Sequence, residues 1–220
     1  VGMDKKGEID YLSKIIQPDI SVITNVNYAH VKNFKNINQI ALAKSEIINN
    51  TKPNGSVVLN ADDIFFKLHK KLSLKKNLTV ISFGIKNLNS NIKLVNIQKM
   101  GKIYKIIIKI DQKKKSFLIS NNFQNNIYNI LAALSVMSIH ENIFKLNKKI
   151  FLDFKIPTGR GDFSRVKINK KYINLIDESY NSNPLSLESA ILNYDKFQTN
   201  KSKKYLLLAD MLELGSYSKK

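Results

Sequence analysis

The chain is 220 residues long, 43% hydrophobic and free of cysteine, enough for one core or one and part of a second, with disulfides and thiolate metal sites excluded. Its formal net charge of +19 is almost all lysine, Arg160 and Arg165 being the only arginines; lysine rises here with asparagine and isoleucine, residues of A- and T-rich codons, so the charge reads as a solvated surface and no nucleic-acid partner is expected. No apolar run approaches the ~18 residues of a membrane-spanning helix and no signal-peptide pattern opens the chain, so a cytoplasmic protein without membrane insertion is expected.

In chain order, residues 20–25 predict a strand entering a loop that ends near His30. A helix is expected over 37–49, with Ile40, Ala43 and Ile47 on one face. Lys52-Pro53-Asn54-Gly55 is a turn signal, and 56–59 a short buried strand. Asn60 stands where a cap would open a helix over 61–70. From 78 to 119 the chain becomes β-rich, with strands expected at 78–83, 92–97, 103–110 and 116–119. The clearest helix follows: Ile127, Ile130, Leu131, Leu134 and Met137 recur at helical spacing. His69 and His140 lie in no motif and read as surface or boundary residues.

Lys155-Ile156-Pro157-Thr158-Gly159 is the best linker candidate, which divides the chain into 1–154, a linker at 155–161 and 162–220. Beyond it the pattern restarts as strand, strand, helix, strand at 164–168, 172–176, 184–196 and 205–209. The whole reads as α/β: a mostly parallel sheet with a small β-rich part, then the start of a second α/β unit.

The most specific stretch is Asp177-Glu178-Ser179-Tyr180-Asn181-Ser182-Asn183-Pro184. An apolar strand runs into a carboxylate and a polar cluster, then into a helix with Asn183 as N-cap and Pro184 as its first residue. Strand ends of this kind form ligand crevices in open α/β sheets, although a well-capped turn is the simpler account of this one alone. Six further segments accompany it: Asp210-Met211-Leu212-Glu213-Leu214-Gly215, Gly159-Arg160-Gly161, Asn25 to His30 with Phe34, Ala43-Lys44-Ser45-Glu46-Ile47, Asn60-Ala61-Asp62-Asp63, and Gly2 with Gly7-Glu8-Ile9. Taken in chain order the seven segments resemble the Mur ligase family, and Tyr180-Asn181 with Asn183-Pro184 resembles its D-alanyl-D-alanine-adding branch.

That resemblance implies a central ATPase-type ligase domain followed by the start of a Rossmann-like domain. It implies amide formation driven by ATP and Mg2+ through an acyl phosphate, with a UDP-N-acetylmuramoyl-tripeptide and D-alanyl-D-alanine as substrates, by a monomeric enzyme of peptidoglycan synthesis. By position in its motifs, Lys44 is implied to be a carbamylated lysine that holds Mg2+, and His30 a metal-site and catalytic residue. Asn60, Asn126, Asn129, Arg160, Asp177, Tyr180 and Asn181 are implied on the nucleotide and cofactor side. The family's G-x-x-x-x-GK[ST] phosphate loop is absent, Val1 stands where a methionine would, and Phe123 and Asn125 replace a glycine and a histidine. The expectation is therefore a fragment of a longer ligase, inactive alone. The other readings are a basic polyanion-binding module, which needs a contiguous lysine face, and a decayed relative that keeps only the fold.

Overall fold

The computed structural model describes residues 1–27, 33–120, 126–180, 182–195 and 203–211. The first helix, α1 (Glu8–Ile16), is one the sequence pattern did not reveal. Its own cap residue Gly7 offers no side chain, and the cap comes instead from Glu46, whose carboxylate accepts the backbone N–H groups of Gly7 (3.0 Å) and Asp10 (3.1 Å). An acceptor 36 or more residues away leaves no local signature.

Strands β1 (Ile20–Ile23), β2 (Ser56–Asn60) and β3 (Thr79–Gly84) run parallel in that order. Helices α2 (Ile37–Asn50) and α3 (Phe66–Lys75) make the two crossovers. The alternation of side chains along β2 sorts them between two layers. Val57 and Leu59 pack with Ile23, Ile48 and Leu78 on the side of α2 and α3. Val58 points the other way, into the main core with Phe83, Leu131 and Leu134 under α4 (Ile127–His140). Burial on both faces explains why these strands read as continuous apolar runs.

The β-rich stretch is continuous with this sheet. β4 (Ile92–Met100) pairs parallel to β3, and β5 (Ile103–Ile110) and β6 (Lys113–Ser120) extend it antiparallel into six strands in sequence order. One face carries Leu94, Ile106, Ile108, Phe117 and Ile119 into the core. On the other, Lys93, Lys109 and Lys114 lie in register on adjacent strands. That row has neither arginine nor aromatic side chain, and it fits the solvated lysine surface expected from composition.

The helix expected to open after Asn60 begins at Phe66 instead. Asn60 ends β2, and its side chain accepts the Asp62 N–H (3.0 Å), which closes a turn over the residues expected to be helical. His69, expected at the surface or its boundary, is 2% exposed and so lies in the interior. It sits on α3 with its Nε2 3.1 Å from the Ala41 carbonyl, whereas His140 is exposed at the end of α4 as expected.

Beyond residue 161, β7 (Asp162–Ile168) and β8 (Lys171–Asp177) form an antiparallel hairpin that is a separate two-stranded sheet. Helix α5 (Pro184–Asp195) follows, and Asn183 and Ser186 cap it reciprocally: the Ser186 N–H donates to Asn183 Oδ1 (3.0 Å) and the Asn183 N–H to Ser186 Oγ (2.9 Å). The strand expected at 205–209 does not form. Those residues pair with no strand among the described residues, and Leu207 is 98% exposed. An apolar run becomes a strand only when a neighbour takes its backbone groups. No helix among the described residues is long and apolar enough to cross a membrane.

Candidate active site

The expected site residues fall into three groups. The first surrounds the chain as it leaves β1. Lys44, on α2, donates from Nζ to the Asn25 carbonyl (2.8 Å), and Asn60, at the end of β2, donates from Nδ2 to the Thr24 carbonyl (3.0 Å). Asp63 completes the set: its Oδ2 accepts the Val26 N–H at 2.7 Å and its Oδ1 the Phe65 N–H at 2.8 Å. Three side chains, from α2, the end of β2 and the turn that follows it, thus hold three consecutive residues at the carboxyl end of a parallel strand, the place where open α/β sheets bind ligands.

The surroundings alter the lysine. Burial away from water holds the Lys44 amine below its ordinary pKa, and the Asp63 carboxylate restores only part of the difference. Burial likewise lowers the His69 imidazole; its bond to the Ala41 carbonyl and the charge of Asp63 oppose this, and the charge of Lys44 adds to it. An amine that loses its proton readily can react with carbon dioxide, and the carbamate formed supplies the hard oxygens that Mg2+ prefers. Among the described residues no group of three or more His, Cys, Asp or Glu side chains is arranged to hold a metal ion. His30 lies outside the described residues.

The second group is at the start of α4. Asn126 caps the helix by position, and its Oδ1 accepts the Asn129 Nδ2–H (3.1 Å). Between them Tyr128 donates its hydroxyl to Asp62 Oδ2 (3.0 Å). Burial first, and that bond second, push the Tyr128 phenol up to about 12.

The third group joins the linker to the end of β8. The Gly161 N–H donates to the Asp177 carbonyl (2.7 Å) and the Tyr180 N–H to the Gly159 carbonyl (3.0 Å). Both glycines have positive φ, and a Cβ at Gly159 would stand 3.0 Å from the Tyr180 backbone nitrogen. Between them the Arg160 guanidinium lies 4.2 Å from the Tyr180 ring centroid. Asp177 is held below the usual carboxylate range by Ser179, first through its hydroxyl and then through its N–H, which donates at 2.9 Å. Burial raises the neighbouring Glu178, helped by the charges of Asp177 and Asp162. Asn181 lies outside the described residues.

Motif reading had missed Asp62, Asp63, Tyr128 and Glu46 as working residues. Three of them stand inside quoted motifs, and the available signal was their type: carboxylates within reach of free N–H groups, at strand-end loops for Asp62 and Asp63 and at the start of α1 for Glu46.

Fold and site together define an α/β protein with Lys44, Asn60 and Asp63 gathered at the carboxyl ends of parallel strands. Residues 1–137 match the Mur ligase middle domain, and the chain belongs to the Mur ligase family. A UDP-N-acetylmuramoyl-tripeptide–D-alanyl-D-alanine ligase of Buchnera aphidicola subsp. Acyrthosiphon pisum is 35% identical over 99% of this chain and 46% of its own. The enzyme of that name from Rickettsia prowazekii is 30% identical over 98% of this chain and 46% of its own. The chain thus spans about half the length of these curated relatives. Among solved structures, a MurF ligase from Thermotoga maritima in complex with ADP superposes with a TM-score of 0.79, at 24% identity, over 97% of this chain and 47% of that one.

Proposed function

We propose that this chain is part of an ATP-dependent amide ligase of peptidoglycan precursor synthesis, one that joins D-alanyl-D-alanine to a UDP-N-acetylmuramoyl-tripeptide. The observation that carries the reading is the 35% identity to a ligase of that name across 99% of the chain. The Asp177 to Pro184 segment, with its capped helix and its contacts to the linker glycines, supports it. The ADP complex of the Thermotoga maritima ligase supports a nucleotide ligand.

The reaction has two transfers. A carboxylate oxygen of the tripeptide takes the γ-phosphoryl group of ATP, releasing ADP and leaving an acyl phosphate. The dipeptide's amino nitrogen then attacks the acyl carbon, phosphate leaves, and the nitrogen gives up a proton. Mg2+, when bound, draws the phosphate charges together and neutralises charge that builds on the transferred group. Carbamylated Lys44 and His30 would hold it. Burial keeps Lys44 ready for this, because its amine nitrogen must be free of its proton to bond to carbon dioxide. Asn60, Asn126 and Asn129 take the nucleotide side. Arg160 contributes fixed charge near phosphate, with its plane kept in place by the Tyr180 ring. Asp177, and Asn181 by its place in the motif, belong to the same nucleotide side. The protein works as a cytoplasmic monomer, with the domain division at 155–161.

The test is to supply the gene product carrying this chain with ATP, Mg2+, the UDP-linked tripeptide and an amine. Phosphate release that depends on D-alanyl-D-alanine, with the matching pentapeptide product by mass, is the expected result. Activity with single amino acids alone would refute the reading.

A further inference from the structure

Adjacent carboxylates in a strand-end turn are usually read together. Here they face different loops. Asp63 holds the β1 exit through Val26 and its own turn through Phe65, within the set that includes Asn60 on Thr24 and Lys44 on Asn25. Asp62 turns to the β3 exit, where its carboxylate accepts the N–H groups of Ile85 (2.6 Å), Lys86 (3.0 Å) and Asn87 (2.6 Å), together with the Tyr128 hydroxyl (3.0 Å). Gly84 makes room for it, since a Cβ there would stand 3.1 Å from Asp62 Oδ1. Ala61 ties the same loop from the backbone: its N–H donates to the Phe83 carbonyl (2.7 Å), and its carbonyl accepts the Asn87 Nδ2–H (3.2 Å).

We propose that Asp62 and Asp63 are two separate positioning residues: Asp63 fixes the β1 exit loop on which Lys44 rests, and Asp62 fixes the β3 exit loop and the first turn of α4 that carries Asn126 and Asn129. The assignment of kinetic roles rests on the ligase reading above. The oxygens of both carboxylates are occupied by the protein's own donors, which suits a support and not a group that touches substrate. Consistent with this, backbone donors from Lys86, Ile85 and Asn87, and then Tyr128, outweigh the effect of burial and keep Asp62 below the usual carboxylate range. A carboxylate that accepts several N–H groups at once sets the path of the chain that carries them.

Two readouts on the gene product carrying this chain separate the pair. In amide hydrogen exchange, D63N should speed exchange at 24–26 and leave 85–87 as in the wild type, and D62N should do the reverse. In the ligase assay, D63N should lower kcat about tenfold with little change in KM for ATP, and D62N should raise KM for ATP about tenfold with a smaller effect on kcat. D63E, which keeps the charge and moves it by one methylene, and Y128F, which removes one of the Asp62 bonds, guard against misfolding. D63E should follow D63N, and Y128F should raise KM for ATP less than D62N does. If each aspartate variant loosens both loops, or both variants change the same kinetic constant, the proposal falls. A wild-type protein with no ligase activity would instead overturn the functional reading, and exchange alone would then decide whether the two supports exist.

Discussion

The strands β2 and β8 are alike in sequence and differ in fate. Ser-Val-Val-Leu-Asn in β2 has its three apolar side chains almost wholly buried, because α3 covers one face and α4 the other. Tyr-Ile-Asn-Leu-Ile in β8 leaves Ile173 and Leu175 each 47% exposed, on a two-stranded hairpin with one helix after it. The difference teaches that an apolar run specifies a strand, while the layers around it decide what that strand contributes to stability. Two of the three groups of expected site residues inherit the contrast. Lys44 and Asn60 stand on packed elements, whereas Arg160 and Tyr180 rely on backbone pairing and a stacked ring.

The largest effect expected is on the packed side. Lys44→Met should lower ligase turnover by about a hundredfold or more, since it removes the group proposed to hold Mg2+ as its carbamate. It should leave the melting temperature at or above that of the wild type, because the buried amine is held below its ordinary pKa and its charge is a cost in that position. A variant that melts markedly earlier would show Lys44 to be structural.

Stability gives the next contrast. Phe83→Ala, at a fully buried ring in the main core, should cost about 3–5 kcal/mol by urea denaturation. Leu175→Ala on β8 should cost less than about 1 kcal/mol. Similar losses at the two positions would break the comparison.

A smaller effect belongs to the second unit. Asn183→Ala removes the side chain that accepts the Ser186 N–H and should cost α5 about 1 kcal/mol, read as faster amide exchange across 184–195. No change there would mean that α5 is held by its packing alone.

The smallest effect concerns pH. Burial keeps the His69 pKa below its ordinary value in the folded state, so the unfolded chain binds a proton that the folded chain refuses. The contribution is fully present above the ordinary histidine value and is lost as pH falls through that value towards the folded one. The urea midpoint should therefore drop between about pH 7.5 and about pH 5.5, and drop less in His69→Gln. An equal drop in both proteins would show that other groups carry the dependence.

Much of the fold was legible because its signals are local. Periodicity located α2, β5 and α4, and Asn183-Pro184 marked the start of α5. What was not legible depends on distant partners. Helix α1 needs Glu46 for its cap, and nothing near Gly7 announces that. Asn60 carries a cap's chemistry but uses it to close a turn, so α3 starts five residues later than expected. His69 looks like a surface residue until α3 is laid against α2, where its ring meets the Ala41 carbonyl. The candidate site was legible as residue types in motifs. The opposite allegiances of Asp62 and Asp63 were not, because sequence gives neighbours no direction.

The account turns on whether Lys44 behaves as a reactive amine or an ordinary one. The direct measurement is carbon-13 NMR of the gene product carrying this chain in labelled bicarbonate, with Lys44→Met as control. The account predicts a protein-bound carbamate resonance in the wild type that is missing from the variant. No such resonance in the wild type, or the same resonance in both proteins, would contradict it.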